Sequence, residues 1–166
     1  MRSADASPQT ALYGQNMTDI PVPVRQPDCG EKLRAPVGSY VIRLSGEQTG
    51  GALAIVEYAF PPGSIGAGPH IHRGHSEHFH ILDGQVTFDL GGTEVAVAAG
   101  GSVSVPIGAA HGFRNASGDW ARCLFLLTPA GYEGYFREVD RALAAGGPLD
   151  AGKLAALRAR YATDTL

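Results

Sequence analysis

Short runs of β-forming residues recur along most of this chain, and each is bounded by glycine, proline, aspartate or asparagine. The 166 residues include 23 glycines and 11 prolines, and these are spread along the chain instead of being gathered in one tail. Residues of these types mark tight turns between strands. The pattern predicts an all-β sandwich or barrel of about eight short strands that closes its own edges. The runs are 40–44, 52–60, 77–82, 85–90, 93–97, 102–105, 111–115 and 121–127.

The two ends of the chain differ in composition and periodicity from the β-forming region between them. The first 35 residues are rich in Ser, Gln, Pro, Asp and Asn without a sustained period, which predicts an extended arm that is flexible or packs in a dimer. Beyond Pro129, helical spacing over 132–145 and 150–161 predicts two short helices separated by Gly146-Gly147-Pro148. One domain overall is therefore expected, made of an N-terminal arm (1–35), a β-barrel (36–130) and C-terminal helices packed on the barrel (131–166).

Composition excludes several classes of partner. A net charge of −3 and a pI near 6.0 give no reason to expect nucleic acid or an anionic membrane. No apolar run approaches the ~20 residues that cross a bilayer, and the N-terminus lacks the apolar stretch of a signal peptide. Cys29 and Cys123 match no redox or zinc spacing, so reduced thiols in a cytoplasmic protein are expected, with Cys123 in the core.

Five of the six histidines lie within residues 70–80, and the sixth, His111, follows about thirty positions later. His70 and His72 are two apart, so on a strand their imidazoles face the same way. Glu77 follows after a glycine-containing turn, and His111 opens a later run. Three imidazoles and a carboxylate suit one divalent transition metal, whether Fe, Mn, Ni, Co or Zn. A histidine pair alone is more often surface or core, so the wider pattern carries this prediction.

That wider pattern resembles the two motifs of the cupin family. The first motif, G-x5-H-x-H-x(3,4)-E-x6-G, is matched from His70 to Gly84, except that Ser64 stands at the opening glycine and Gly63 lies one residue earlier. The second motif, G-x5-P-x-G-x2-H-x3-N, is matched without departure from Gly100 to Asn115. The resemblance is to single-domain bacterial cupins. Outside the two motifs, the type and order of the residues also resemble those of cupins similar to quercetin 2,3-dioxygenase.

The resemblance implies a cupin double-stranded β-helix, which is a jelly-roll barrel, with the two helices and the N-terminal arm added to it. It also assigns His70, His72, Glu77 and His111 as the metal ligands. An octahedral ion held by four protein ligands keeps two positions for water, dioxygen or a chelating substrate. Asn115 is expected to hydrogen-bond a turn rather than to take part in catalysis.

Strand alternation divides the remaining histidines. If Glu77 points inward, then His78 and His80 point to the other side of the sheet and are not ligands. His75 lies in the turn before Glu77, where it could gate the pocket, relay protons or be solvated, and solvation is the favoured of the three. Several apolar side chains could line a pocket, although core packing is the simpler interpretation. They are Phe79, Phe113, Val86, Phe88, Tyr58 and Phe60.

Three functions remain open at this point, because one scaffold supports many chemistries. The first is a metal-dependent dioxygenase that acts on a flavonol-like or other enolic aromatic, with Glu77 as ligand and general base. The second is a metal-dependent cyclase or isomerase in aromatic polyketide or other secondary metabolism, with His75 or Glu77 moving protons. The third is a non-enzymatic small-molecule-binding cupin. The expected partners are a small, aromatic substrate and a second copy of the chain in a homodimer.

Overall fold

The computed structural model describes residues 11–13, 22–146 and 149–166. These residues form thirteen strands and three helices. The strands are β1 (Ala11–Tyr13), β2 (Val22–Val24), β3 (Glu31–Arg34), β4 (Ser39–Leu44), β5 (Ala54–Phe60), β6 (Ile65–His72), β7 (Ser76–Asp83), β8 (Gln85–Asp89), β9 (Glu94–Ala98), β10 (Ser102–Val105), β11 (Ala110–Arg114), β12 (Ala121–Thr128) and β13 (Thr163–Thr165). The helices are α1 (Gly46–Thr49), α2 (Glu133–Ala144) and α3 (Ala151–Ala159).

Two antiparallel sheets form the body of the molecule, as expected for a double-stranded β-helix. One sheet has the strand order β10-β7-β12-β5-β4-β3, and the other has the order β13-β6-β11-β8-β9. β1 and β2 pair with each other in a separate two-stranded sheet. Successive strands along the chain alternate between the two larger sheets from β5 to β8, so a turn that links two strands often also links the two sheets.

The core lies between the two sheets and is largely aromatic. Along β12 buried residues alternate with more exposed ones, as they do along β5 and β7, because successive side chains point to opposite faces. Phe79 from one sheet meets Phe88 and Phe113 from the other, with ring centroids 4.9 and 5.3 Å apart. Such edge-to-face contacts stabilise the pair beyond the area they bury.

The C-terminal helices match the predicted positions, and a strand that was not predicted follows them. α2 buries Tyr135, Phe136 and Val139 against the body. Asp150 caps the N-terminus of α3, where its Oδ1 accepts from the backbone N of Lys153 at 2.9 Å. After α3 the chain returns to the five-stranded sheet as β13. Three residues with the sequence Thr-Asp-Thr carry too little pattern to be recognised as a strand.

The sheet begins earlier in the chain than the sequence indicates. β3 lies within the segment predicted to be an arm, yet it forms the edge of the six-stranded sheet beside β4. Its sequence is Glu-Lys-Leu-Arg, in which Leu33 alone is buried, so it lacks apolar alternation. Elsewhere in the predicted arm, β1 and β2 pair with each other, and residues 1–10 and 14–21 lie outside the described residues.

Two further predictions concern the helices and the thiols. Within the described part of the chain, no helix is long and apolar enough to cross a membrane.

Cys29 and Cys123 are both free and buried, and Cys123 belongs to the apolar core. Burial raises the pKa of the Cys123 thiol well above its ordinary value, which keeps it protonated and unreactive.

Candidate metal centre

Three strands bring together the four residues that the sequence singled out as metal ligands. His70 and His72 lie on β6, and His111 lies on the neighbouring β11 directly opposite His70. Residues directly opposite each other in an antiparallel pair face the same side of the sheet. Glu77 lies on β7 of the other sheet, a short turn after His72, and faces the histidines from across the barrel.

The potential ligand atoms of these four side chains converge on one point. His72 Nε2 lies 3.2 Å from His70 Nε2 and 3.0 Å from Glu77 Oε2, and His111 Nε2 lies 3.1 Å from the same oxygen. One ligand atom from each residue falls within 4.8 Å of all the others. The four residues are only 1–3% exposed. They form a buried three-histidine, one-glutamate cluster that could hold a metal ion.

The second ring nitrogen of each histidine lies against an oxygen. His70 Nδ1 is 2.8 Å from the carbonyl of Gly68, and His111 Nδ1 is 3.3 Å from the carbonyl of Ala109. His72 Nδ1 is 2.8 Å from the hydroxyl of Thr163. A carbonyl only accepts hydrogen bonds, so once a cation replaces the contacts to Glu77 Oε2, the carbonyls of Gly68 and Ala109 hold a proton on Nδ1 of His70 and His111 and leave Nε2 with a lone pair for the ion. Metal-binding histidines are commonly oriented in this way.

The donor set fits a divalent cation better than it fits protons. With Nδ1 protonated, a second proton on Nε2 would create a buried imidazolium, which is costly. Burial and the neighbouring His111 lower the pKa of His70 to about 3. A cation instead satisfies all three nitrogens and the carboxylate at once.

Glu77 is ionised at neutral pH in spite of its burial. Burial alone would raise the pKa of this carboxyl group, but in the metal-free cluster hydrogen bonds donated to Oε2 by the ring nitrogens of His111 and His72 outweigh that effect. The pKa therefore lies well below its ordinary value. A charged Glu77 beside a neutral His70 is the protonation state in which these groups bind metal.

His75 is buried, so the expectation that it is solvated is wrong. The side chain is 5% exposed, and its ring lies 4.1 Å from that of His72 and 4.5 Å from that of Tyr132. Tyr132 immediately precedes α2 and covers the turn that carries His75. Nε2 of His75 has no hydrogen-bond partner. Burial, reinforced by His72, lowers the pKa of His75 to about 4.

His78 and His80 lie on the opposite face of β7 from Glu77, as alternation predicts. Their Nδ1 atoms are each 2.9 Å from a serine hydroxyl on β10, which belongs to Ser104 for His78 and to Ser102 for His80. Neither residue belongs to the cluster of potential ligands.

A small cavity lies beside His75, and none of the four potential metal ligands lines it. Its volume is about 240 Å³. The apolar residues named from the sequence as possible pocket walls belong to the core instead, and Phe79 approaches His111 with ring centroids 6.2 Å apart. The cavity is lined by Gly74, His75, Pro129, Ala130, Gly131, Tyr132 and Tyr161.

Tyr132, Tyr161 and Thr163 also lie near the site, although the sequence singled out none of them. Tyr132 follows β12, whose end pairs with the start of β7 at Ser76. Tyr161 and Thr163 come close because the C-terminal region returns to β6 as β13. No spacing pattern signals this return.

We expect the metal-free protein to lose stability in mild acid. Unfolded histidine has a pKa near 6.5, whereas that of folded His75 is about 4, so the unfolded state binds more protons between these values. The free energy of unfolding should therefore fall as the pH drops from about 6.5 to 4. One proton corresponds to a slope of about 1.4 kcal/mol per pH unit. Urea unfolding of His75→Gln in the presence of a chelator should show a flatter slope, and an unchanged slope would contradict this account.

Comparison with known proteins agrees with this fold. Residues 56–127 match the family model of the cupin domain. The quercetin 2,3-dioxygenase of Bacillus subtilis (strain 168) is 28% identical to this chain over 138 residues, which cover 80% of this chain and 40% of that protein. The chain thus spans less than half the length of this curated relative.

Two solved structures share the fold. KdgF from Halomonas sp. superposes with a TM-score of 0.55 at 19% identity, and the match covers 63% of this chain and 90% of that one. A predicted oxalate decarboxylase from Thermotoga maritima superposes with a TM-score of 0.52 at 26% identity, over 55% of this chain and 79% of that one. Since their names indicate different activities, the shared fold leaves the reaction of this chain open.

Proposed function

The chain contains a cupin domain, and we propose that this domain is a metal-dependent dioxygenase that acts on a compact enolic substrate. The observation that carries the proposal is the convergence of three histidine Nε2 atoms and an ionised Glu77 within a buried cluster. The 28% identity to a quercetin 2,3-dioxygenase supports the reaction class. The metal would be one divalent first-row ion, which the ligand types alone do not identify.

When bound, such a metal acts as a Lewis acid that favours the enolate form of a substrate hydroxyl group. Glu77, whose carboxylate is ionised at neutral pH, would accept the proton of that hydroxyl group. The rings of His75 and Tyr132 cover His72, with centroids 4.1 and 4.7 Å away. These rings exclude water from the reacting atoms. Both atoms of dioxygen, the co-substrate, would enter the product.

If the substrate approaches the cluster through the cavity beside His75, the volume of that cavity limits the size of the substrate. At about 240 Å³ it is smaller than the roughly 300–1,000 Å³ typical of sites for drug-sized ligands. Among the enolic aromatics considered from the sequence, a single-ring compound therefore fits better than a three-ring flavonol. A substrate in this cavity would contact His75 and Tyr132 before it reached the metal.

Oxygen consumption by the metal-loaded protein tests the proposal. We expect uptake with a monocyclic 3-hydroxy-4-pyranone, which carries the enol and ketone of a flavonol without the other rings. Uptake should be slower with quercetin, should be absent with unsubstituted 4-pyranone and should stop on chelation. Glu77→Gln should abolish uptake, whereas His80→Gln, on the outer face of β7, should not. Loss of uptake in both variants, or persistence after chelation, would overturn the proposal.

A second candidate, a cyclase or isomerase, is favoured by one observation. His75 offers a buried ring nitrogen without a hydrogen-bond partner close to the metal cluster, which suits proton transfer without any redox step. Anaerobic turnover of a small polyketone, lost in His75→Gln and kept in His80→Gln, would select this reaction. Binding of the same compounds without turnover under either atmosphere would instead indicate a non-enzymatic binding protein.

The homodimer stays a prediction. The molecular mass in solution tests it, and a monomeric mass would show it to be wrong.

A further inference from the structure

The C-terminal strand β13 lies beside the strand that carries two of the proposed ligands. Thr163 is directly opposite His72, and Thr165 is directly opposite His70. Backbone hydrogen bonds hold β13 at both ends, from Arg73 N to Ala162 O at 2.8 Å and from Leu166 N to Pro69 O at 3.0 Å. β13 is therefore paired along its length with the strand that carries His70 and His72.

Thr163 is the residue of β13 that reaches into the barrel. It is 1% exposed, whereas Asp164 and Thr165 are exposed. Its Oγ1 lies 2.8 Å from His72 Nδ1 and donates to the carbonyl of Tyr161 at 3.2 Å. Because the single hydroxyl proton points to Tyr161, the oxygen is left to accept a hydrogen bond from Nδ1–H of His72.

The backbone before Thr163 adopts a conformation that is unfavourable for its sequence. Ala162 has φ of 50°, the only positive φ at a residue other than glycine among the described residues. This left-handed region is unfavourable for alanine, because the Cβ atom lies too close to the following carbonyl oxygen. The turn at Ala162 brings Tyr161 O and Thr163 Oγ1 within hydrogen-bond distance. The surrounding contacts therefore offset the unfavourable backbone conformation of Ala162.

We propose that Thr163 is a positioning residue for the metal centre, which holds the His72 ring so that Nε2 presents its lone pair to the ion. The proposal rests on the metal site of the proposed function. It identifies a role that is separate from ligation, since Thr163 would act through His72. Backbone carbonyls serve this purpose for His70 and His111. His72 instead depends on a side chain 91 residues away, which mutation can remove selectively.

The test measures the Kd for Zn²⁺ by competition with a chromophoric chelator in the full chain. Removal of a hydrogen-bond partner of a metal ligand typically weakens metal binding about 10–100-fold, and we expect a loss of this size in Thr163→Val. Thr163→Ser keeps the hydroxyl and should restore binding to near the wild-type value. Thr165→Val is the matched control, because it makes the same substitution at the exposed position two residues later.

Thermal unfolding of each chelated variant separates positioning from folding. If valine is not tolerated at this position, the pair Thr163→Ala and Thr163→Ser still compares small side chains with and without a hydroxyl. Wild-type affinity in folded Thr163→Val, equal loss in Thr165→Val, or failure of serine to restore binding would each overturn the proposal. Absence of Zn²⁺ binding by the wild-type protein would instead overturn the metal site itself.

Discussion

Replacing His111 with alanine is expected to remove the metal from the purified protein. His111 Nε2 lies 3.1 Å from Glu77 Oε2 at the centre of the cluster, and the residue is 1% exposed, so water reaches the vacated position poorly. The loss of affinity should exceed the about 100-fold that removal of an outer partner can cause. Elemental analysis should find about one metal ion per wild-type chain and almost none in the variant. His70→Ala and His72→Ala should behave alike.

His80→Ala and His78→Ala are the matched controls for this result. They remove imidazoles from the same part of the sequence, but from the outer face of β7, where the rings contact Ser102 and Ser104. Both variants should keep a metal content near that of the wild type. Equal loss of metal in either one would refute the division of the histidines between two faces, and full retention in His111→Ala would refute the site.

The metal ligands and the two faces of β7 could be predicted from the sequence, because the residue patterns that indicate them are local or regularly spaced. Period-two alternation separates Glu77 from His78 and His80 without any knowledge of the fold. The residues that bring His111 opposite His70 are turn residues, and Gly108, with φ of 86°, adopts a conformation that favours glycine. Most of the strands between such turns could therefore be located from the sequence, but β6 (Ile65–His72), with two glycines and a proline, was not among the predicted runs.

The surroundings of the site could not be predicted in the same way. His75 was expected to be solvated because it lies in a turn between two strands, and turns usually lie at the surface. Its burial depends on Tyr132, which stands 57 positions later at the start of α2 (132 − 75). Thr163 is placed by backbone pairing between β13 and β6. Contacts of this kind leave no periodic trace in the sequence.

Asn115, the last residue of the second motif, shows how a motif position can be structural. It is 1% exposed. Its Nδ2 donates to the carbonyls of Asp119 at 2.8 Å and Pro61 at 3.1 Å, and its Oδ1 accepts from the backbone N of Ser117 at 3.0 Å. The side chain thus ties the turn between β5 and β6 to the loop after β11. It makes none of the hydrogen bonds within the metal cluster.

We therefore expect Asn115→Ala to lower the free energy of unfolding by about 3 kcal/mol, since a hydrogen bond contributes about 1 kcal/mol and each buried group left without a partner costs about 1–3 kcal/mol. This is a large share of the roughly 5–15 kcal/mol that stabilises a typical protein. Urea unfolding in the presence of a chelator measures the change without a contribution from bound metal. In the folded variant the affinity for Zn²⁺ should stay near that of the wild type.

Two further variants identify which hydrogen bonds matter. Asn115→Asp keeps the acceptor for Ser117 but cannot donate to the two carbonyls, and it brings a carboxylate against them, so it should destabilise the fold at least as much as alanine. Ser117→Ala removes a hydroxyl that donates to Oδ1 at 2.7 Å and accepts from the backbone N of Asp119 at 3.3 Å, and it should cost about 1–2 kcal/mol. If Asn115→Ala kept the wild-type stability but lost metal or activity, the residue would belong to the site and not to the turn.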